Sequence, residues 1–251
     1  MTPALILLIE ARIRLDWSPE QVSGQLEDEL GILISHERIY QHIWTDKRHG
    51  GTLHTHLRQC HKKRKKKYGS KDKRGQIRNR VSIDERPAIV AEKTRIGDWE
   101  IDTVIGQNHQ GALVTIVDRV SKFTLIKKVD SKHAKVVTAA TLVLLQPYLD
   151  KTLTITADNG KAFAGHETLK EQLSANMYFA HPYCSWERGL NENTNGLIRQ
   201  YFTKGSSFEN ITDDEVEAVM NRLNHRPRKT LTIKHLMRYF LPTHCKKPHE
   251  H

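Results

Sequence analysis

Strand-like runs that alternate with helical stretches constrain the fold from residue 97 onward more than any other feature of the chain. Three runs of alternating apolar residues separated by short turn-prone segments predict an antiparallel meander. A helical pattern over about 132–149 follows, and a second helix is expected over 187–203. The five runs are 99–105, 113–117, 123–129, 153–157 and 177–180. This order predicts an α/β domain with a mixed five-stranded sheet of the ribonuclease-H-like kind.

Three acidic residues stand on these elements where a metal site is expected. Asp102 lies within the first strand, and Asp158 directly follows the fourth. Glu192 lies on the last helix, with 33 residues between it and Asp158. A carboxylate in the middle of a sheet carries a desolvation cost that a bound cation offsets. If the fold brings the three together, they form a cage for divalent metal ions.

The ligand type indicates which metal such a cage would hold. Oxygen ligands without a thiolate favour magnesium or manganese. Two such ions about 3.5 to 4 Å apart would activate an attacking oxygen and stabilise a leaving one in phosphoryl transfer. The alternative for each acid taken singly is an ordinary structural carboxylate, as expected for Asp118 and Asp130 in turns. Asp98 and Glu100 also compete with Asp102 for the first ligand position.

Residues that follow Glu192 at helical spacing are candidates for DNA contact. Asn195, Gly196 and Arg199 stand at i+3, i+4 and i+7, so they share one face of the helix with Glu192. Gly196 would allow a phosphate backbone to approach closely. Arg199 is placed either to contact phosphate or to hold Glu192.

The formal net charge of +11 over 251 residues indicates a polyanionic partner, most simply nucleic acid. Between residues 47 and 80 there are 14 Lys and Arg residues against one acid, Asp72. Within it, residues 61–80 have no apolar periodicity, so they predict a solvated arm between two folded parts. Contact with DNA phosphates is favoured over a disordered spacer or a targeting tract. The candidate contacts are Lys62, Lys63, Arg64, Lys65, Lys66 and Lys67.

Three short helices are predicted before this arm. Ser18 as N-cap, Pro19 at the first position and Gln21 in a capping box start the second helix, and Ser35 is placed to cap the third. A tight turn between these two helices suggests a helix-turn-helix, with Arg38 and Gln41 of the third helix facing DNA. The alternative is a small helical bundle that makes no groove contact.

The cysteines and the apolar segments of the sequence indicate the expected cellular compartment. Cys60, Cys184 and Cys245 are odd in number and far apart, so a disulfide framework is not expected and a reducing cytoplasm is the default. The apolar run 4–9 follows no basic residue and is too short to cross a bilayer. No membrane partner is expected.

Six segments closely resemble the bacterial insertion-sequence transposases of the "IS thirty" family, and the resemblance covers about residues 12 to 232. The segment that contains Glu192 is long and specific to the family. The six are DWSPEQV (16–22), SHERIY (35–40), GDWEID (97–102), TADNGK (156–161), SWERGLNENTNGLIRQYF (185–202) and LNHRPRKTL (223–231).

The resemblance implies a retroviral-integrase-type catalytic core. In it Asp102, Asp158 and Glu192 are the catalytic acids and hold magnesium or manganese, with two ions expected, and Arg199 is the basic residue that follows the glutamate. Members of the family cut and rejoin transposon ends with water or a DNA 3′-hydroxyl as nucleophile, without a covalent protein intermediate. The implied partners are terminal inverted repeats and target DNA, bound by a homo-oligomer in the bacterial cytoplasm, on the nucleoid.

The patterns divide the chain into a helix-turn-helix module, a basic arm, a catalytic core and a tail, expected at 1–46, 47–86, 87–225 and 226–251. Family members usually carry another helix-turn-helix region upstream. From residue 231 onward the usual closing pattern is absent, and Thr203 stands where a proline is usual. The sequence therefore favours a strand-transfer enzyme, with two alternatives: a truncated, non-catalytic DNA-binding remnant, or a nuclease that only hydrolyses.

Overall fold

The computed structural model describes residues 1–58, 77–182 and 184–227. The six predicted DNA contacts between 62 and 67 lie outside the described residues, as do Cys60, Cys245 and the tail from 228 onward. Within the described ranges, no helix is both long and apolar enough to cross a membrane.

Three helices form the N-terminal module: α1 (Pro3–Arg14), α2 (Pro19–Leu30) and α3 (His36–Arg48). The predicted start of α2 is confirmed, because the Ser18 side chain accepts from the Gln21 backbone N–H and the Ser18 N–H donates to the Gln21 side chain. Gly31 ends α2 in the left-handed conformation at φ 64°. The helices enclose a core of their own that includes Ile9, Ile13, Val22, Leu26, Ile39 and Ile43.

A mixed five-stranded sheet forms the centre of the second domain. Its strands stand in the order β3-β2-β1-β4-β5. The first three form the predicted antiparallel meander, and the last two run parallel to β1. The strands are β1 (Asp98–Ile105), β2 (Ala112–Asp118), β3 (Thr124–Val129), β4 (Thr154–Ala157) and β5 (Asn176–Phe179). The predicted ribonuclease-H-like sheet is therefore confirmed.

Helices cover both faces of this sheet. Trp99 and Ile101 of β1 lie in the core beneath α5 (Ala134–Leu145) and α6 (His166–Leu173). Val104 lies on the opposite face, beneath α7 (Gly189–Tyr201) and α8 (Asp213–Asn224). This alternation is what the sequence pattern of β1 predicts. A further short helix, α4 (Ala88–Glu92), precedes β1.

Two predicted helices have different ends in the structure. α5 ends at Leu145, and a 3₁₀ turn with Pro147 near its start follows over Gln146–Lys151, in which Tyr148 has a non-helical φ of −126°. The last predicted helix begins at Gly189 rather than at 187, because Arg188 has non-helical angles of φ −125° and ψ 38°. Arg188 therefore stands at the entrance to α7 and not within it.

Asp16 joins the N-terminal module to the second domain. It lies in the turn between α1 and α2 with a φ of 63°. Its carboxylate accepts hydrogen bonds from His56 Nδ1 at 2.8 Å, from the Tyr201 hydroxyl at 3.0 Å and from Arg222 Nη1 at 3.3 Å. Tyr201 is at the end of α7 and Arg222 is on α8, so one side chain connects the module to both helices that cover this one face of the sheet.

Candidate metal-binding active site

Asp102 lies in the middle of β1, opposite Thr115 of β2. One carboxylate oxygen accepts the Thr103 backbone N–H at 2.8 Å, and the other accepts Asn195 Nδ2 at 3.1 Å. Burial raises the pKa of Asp102, the positive charge of Arg188 opposes that rise, and the negative charge of Asp158 adds to it. The environment of this carboxylate therefore favours a nearby cation.

Asp158 follows the last residue of β4, at the carboxyl end of the strand. Because β4 is parallel to β1 and beside it, this end lies next to the middle of β1. The Gly160 backbone N–H donates to Asp158 Oδ1 at 2.8 Å, which fixes the carboxylate in a tight turn. The Oδ2 atom points to Arg188, whose Nη2 lies 3.7 Å away.

The guanidinium of Arg188 lies between the two aspartates. Its Nη1 is 3.3 Å from Asp102 Oδ2, and its Nη2 is 3.7 Å from Asp158 Oδ2. The Arg188 side chain is 11% exposed. The structure therefore brings two of the three predicted acids, Asp102 and Asp158, to the same guanidinium group.

Glu192 lies in the first turn of α7 with its side chain exposed. It precedes Asn195, the partner of Asp102, by three positions, so both lie along one face of the helix. The structure does not gather all three acids into a finished cage. Within the described ranges, no group of three or more His, Cys, Asp or Glu side chains is placed to hold a metal ion.

The two carboxylates that compete with Asp102 have structural partners. Asp98 pairs with Arg95 at 2.9 Å and accepts the Thr154 hydroxyl at 2.7 Å. Glu100 forms a buried ion pair with Arg119. Burial raises the pKa of Glu100, and the charge of Arg119 opposes the rise. Asp98 and Glu100 are thus each paired with an arginine inside the fold, whereas Asp102 faces the Arg188 guanidinium, which it shares with Asp158.

Glu100 also fixes the start of the glutamate-bearing helix. Its Oε2 accepts the backbone N–H of Asn191 at 3.1 Å. Asn191 is in the first turn of α7 and is fully buried. This contact sets the position of the residue immediately before Glu192.

The other predicted residues of α7 make contacts within the protein. Asn195 links the Asp102 carboxylate to the Thr115 hydroxyl, whose oxygen lies 3.1 Å from Asn195 Oδ1. Arg199 donates to the backbone carbonyls of Ile105 at 2.7 Å and Thr203 at 3.2 Å. The sequence predicts that Arg199 either contacts phosphate or holds Glu192. In the structure it does not bind Glu192; instead it connects the end of α7 to the end of β1.

The close approach to Gly196 is made by a side chain of the arm. A Cβ atom at Gly196 would lie 2.6 Å from Arg58 Nη2. The Arg58 guanidinium also donates to Asn193, at 2.7 Å to the side-chain oxygen and 3.1 Å to the backbone oxygen. The approach of a phosphate backbone to Gly196 stays a prediction; in this structure the Arg58 guanidinium lies beside Gly196.

Arg38 and Gln41, predicted to face DNA, are both exposed on α3. Arg38 Nη1 lies 3.4 Å from Gln41 Oε1, so the two side chains form one polar patch. This patch lies opposite Ile39 and Ile43, which are buried in the module core.

Sequence reasoning missed Arg188 and Arg58 as site residues. Arg188 stands in the long glutamate-bearing segment, but its role depends on a non-helical turn that the apolar pattern does not reveal. Arg58 is one of many basic residues in the arm, and no local signal sets it apart from the others. The contact to Asn193 arises only when the arm is packed on α7.

Comparison with known proteins defines the class of the chain. It is 48% identical over 231 residues to the transposase for insertion sequence element IS4351 of Bacteroides fragilis, which covers 92% of this chain and 71% of that protein. It is 36% identical to the transposase for IS1086 of Cupriavidus metallidurans, over 86% of this chain and 66% of that protein. The same identity to transposase InsI for IS30A of Escherichia coli extends over 90% of this chain and 62% of that protein.

The chain belongs to the IS30 family of insertion-sequence transposases. No protein-family model matches the sequence. Among solved structures, the catalytic core domain of BIV integrase aligns with a TM-score of 0.42 and 19% identity, covering 52% of this chain and 84% of that domain.

Proposed function

We propose that the protein is a DDE-type DNA transposase that cleaves the ends of an insertion sequence and joins them to target DNA. The observation that carries this proposal is the convergence of Asp102 and Asp158 on one positive group. These acids come from separate strands, 56 positions apart in the sequence of a chain related to transposases. Asp102, Asp158 and Glu192 are the proposed catalytic acids.

The donor set fits a hard divalent cation. Asp102 and Asp158 offer carboxylate oxygens, and Glu192 supplies a third, exposed carboxylate one helical turn before Asn195. Such ligands suit Mg²⁺ or Mn²⁺. Asp102, Asp158 and Glu192 would hold two such ions, which would supply activation of the attacking oxygen and stabilisation of the leaving oxygen of the phosphodiester.

Other residues of the chain would keep these acids in place. Asn195 holds one oxygen of Asp102, and the Gly160 N–H holds one oxygen of Asp158. Glu100 fixes the first turn of α7 through Asn191. These contacts restrict the rotation of the ligands, and such outer partners typically change metal affinity or activity by about 10- to 100-fold.

The proposed DNA path joins the helical module to the active site. Arg38 and Gln41 on α3 are proposed to read a terminal inverted repeat, and Asn195 and Arg199 to lie near the DNA at the site. The described basic residues on either side of the 59–76 gap support this path. Arg58 contacts Asn193, next to Glu192, and Arg80 contacts Asn159, next to Asp158. The six basic residues at 62–67 complete the proposed phosphate contacts.

Pairing of two transposon ends implies at least two active sites, so we expect a homo-oligomer on DNA. Association with the bacterial nucleoid follows from the same proposal. A nuclease that only hydrolyses and a DNA-binding remnant without catalysis are the competing functions.

One experiment separates these functions. The full chain is mixed with labelled terminal-repeat DNA and target DNA in Mg²⁺ or Mn²⁺. Joined products support the transposase, cleavage alone supports the nuclease, and binding without either supports the remnant.

A carboxylate-to-amide change tests the site assignment in the same assay. Glu192→Gln is expected to lower product formation by more than about 100-fold. Loss of a residue that only hydrogen-bonds to a metal ligand lowers activity by up to about 100-fold, and loss of the ligand itself is expected to cost more. Glu217→Gln, at an exposed position of α8, is the matched control and is expected to keep full activity. Full activity of Glu192→Gln means that the triad is wrong.

A further inference from the structure

Arg188 occupies the place where the proposed metal ligands converge. Its two terminal nitrogens lie 3.3 Å from Asp102 Oδ2 and 3.7 Å from Asp158 Oδ2. Two carboxylates so close to one another repel, and both are only partly exposed to solvent. A positive group between them removes much of that cost in the absence of a metal ion.

The contacts of Arg188 are loose compared with those of other arginine pairs in the same domain. Arg95 binds both oxygens of Asp98, at 2.9 and 3.1 Å. Both distances of Arg188 to its two aspartates are longer, and charge-assisted pairs of optimal geometry lie at about 2.7 to 2.9 Å. The Arg188 Nε atom is buried and has no hydrogen-bond partner among the described residues. The hydrogen bond from Arg188 Nη1 to the Ile101 carbonyl is also long, at 3.4 Å, so charge holds this guanidinium more than directed hydrogen bonds do.

The backbone around Arg188 allows its withdrawal. Arg188 is the last residue of a 3₁₀ turn (Ser185–Arg188), outside α7 and outside the sheet. Trp186 in the same turn is 74% exposed. Movement of this turn would break the 3.4 Å hydrogen bond from Arg188 Nη1 to the Ile101 carbonyl, but it would leave the pairing of β1 with β2 and β4 intact.

We propose that Arg188 is an exchangeable counter-ion of the active site: it neutralises Asp102 and Asp158 in the metal-free protein and is displaced when divalent cations bind. This inference rests on the proposed function, because it requires these aspartates to be metal ligands. It assigns Arg188 a positioning role that opposes premature metal binding. Metal occupancy and the position of the 185–188 turn are then coupled.

Metal binding by the full chain without DNA tests this competition. Mn²⁺ affinity is measured by titration calorimetry for the wild type, Arg188→Gln and the matched control Arg95→Gln. Arg188→Gln is expected to bind Mn²⁺ about 10-fold or more tightly than the wild type, within the usual range of coupling between two ligands. Arg95→Gln is expected to keep the wild-type affinity. Equal or weaker binding by Arg188→Gln overturns the proposal.

Thermal unfolding separates a counter-ion from a residue that only stabilises the fold. Without metal, Arg188→Gln is expected to have a lower Tm than the wild type, because two carboxylates lose their neutralising group. Saturating Mn²⁺ is expected to close that gap, since the metal supplies the missing charge. A gap of the same size with and without Mn²⁺ contradicts the exchange.

A measurement on the wild type does not depend on the folding of a variant. Phenylglyoxal modification of Arg188, followed by mass spectrometry, is expected to be slow without metal and several-fold faster with Mn²⁺. Arg95 serves as the internal reference. Unchanged reactivity of Arg188 at saturating Mn²⁺ overturns the inference.

An Asp102→Asn variant distinguishes failure of this inference from failure of the proposed function. If the wild type and Asp102→Asn bind Mn²⁺ equally, the metal site itself is wrong and both proposals fall. If Asp102→Asn loses Mn²⁺ binding while Arg188→Gln gains none, only the counter-ion role is refuted.

Discussion

Two carboxylates on one strand, Glu100 and Asp102, illustrate how burial and partners divide similar residues into different roles. They stand two positions apart and face the same side of β1. Glu100 is 3% exposed and paired with Arg119, which is 7% exposed. Asp102 is 21% exposed and meets Arg188 at the site. The sequence pattern places the candidate metal ligands on one face of β1 but does not distinguish between them. Glu100 is the acid that is buried with a partner because Arg119, 19 positions away, pairs with it.

Removal of the Glu100 carboxylate is expected to destabilise the fold. Glu100→Ala leaves Arg119 as an uncompensated buried charge, which costs about 3 to 5 kcal/mol. Glu192→Ala, at an exposed position, is expected to change the free energy of unfolding by less than about 0.5 kcal/mol. Urea unfolding of both variants measures the difference. Similar losses in the two variants would show that burial does not separate their roles.

Asn195 is expected to affect catalysis more than stability. Asn195→Ala removes the donor that holds Asp102 Oδ2 and the acceptor near Thr115. We expect strand transfer to fall by about 10- to 100-fold, with a stability loss of about 1 kcal/mol. Asn210→Ala, at an exposed position, is the control and should change neither quantity. Wild-type rates for Asn195→Ala would contradict the role of Asn195 in orienting Asp102.

At the scale of elements, the segment between β5 and α7 is fixed by a histidine between two carboxylates. His181 Nδ1 lies 2.8 Å from Glu187 Oε1, and Nε2 lies 2.9 Å from Asp84 Oδ2. The hydrogen bonds with Glu187 and then Asp84 raise the pKa of His181. Hydrogen bonds from Ser82 and His181 lower the pKa of Asp84. The imidazole of His181 thus connects the turn that carries Arg188 to residue 84.

The sign of these shifts predicts a pH dependence. The contribution of His181 is fully present below its ordinary pKa and is lost as the pH rises through the raised value. The contribution of Asp84 is present above its ordinary pKa and is lost as the pH falls through the lowered value. As the pH rises from about 6 to 9, across the titration of histidine, only the contribution of His181 is lost, because Asp84 stays ionised over this range.

Hydrogen exchange in the 181–188 segment is therefore expected to become faster with pH than the intrinsic exchange rate requires. His181→Gln, which cannot be protonated, is expected to be less protected at the lower pH and to show no additional change across this range. The same excess acceleration in His181→Gln would rule out His181 as its source.

Element boundaries show where sequence patterns are sufficient and where they are not. The start of α2 is predictable because Ser18, Pro19 and Gln21 act locally. The start of α7 is not, because the polar segment around Arg188 fits a helix as well as a 3₁₀ turn. The turn is selected by contacts with distant groups, including the Ile101 carbonyl, 3.4 Å from Arg188 Nη1. Periodicity carries no information about such partners.

At the scale of the whole molecule, the junction at Asp16 determines whether the two domains behave as one unit. Asp16→Asn keeps a residue that tolerates a positive φ but removes the charge that binds His56, Tyr201 and Arg222. A loss of about 1 to 3 kcal/mol is expected, typical of a buried hydrogen-bonding group left without its partner.

Calorimetry is expected to show separate transitions for the N-terminal module and the catalytic domain in Asp16→Asn, and a single transition in the wild type. Asp28→Asn, at an exposed position of α2, is the control and should unfold as the wild type does. A single unshifted transition in Asp16→Asn would mean that the junction contributes little. The sequence predicts both modules but not this junction, since its four residues are spread from position 16 to 222.

The helix α7 meets both the arm and the predicted metal ligands. Arg58 donates to Asn193, Gln200 donates to the His56 carbonyl at 3.0 Å, and Asn195 donates to Asp102. If the N-terminal module shifts when it binds DNA, its contacts with α7 change. Because α7 also contacts Asp102, that shift would change the free energy of metal binding. Thermodynamic reciprocity then requires metal ions to change DNA affinity by the same factor. Under the proposed function, recognition of the element's end and metal binding at the active site would then be coupled in a single equilibrium.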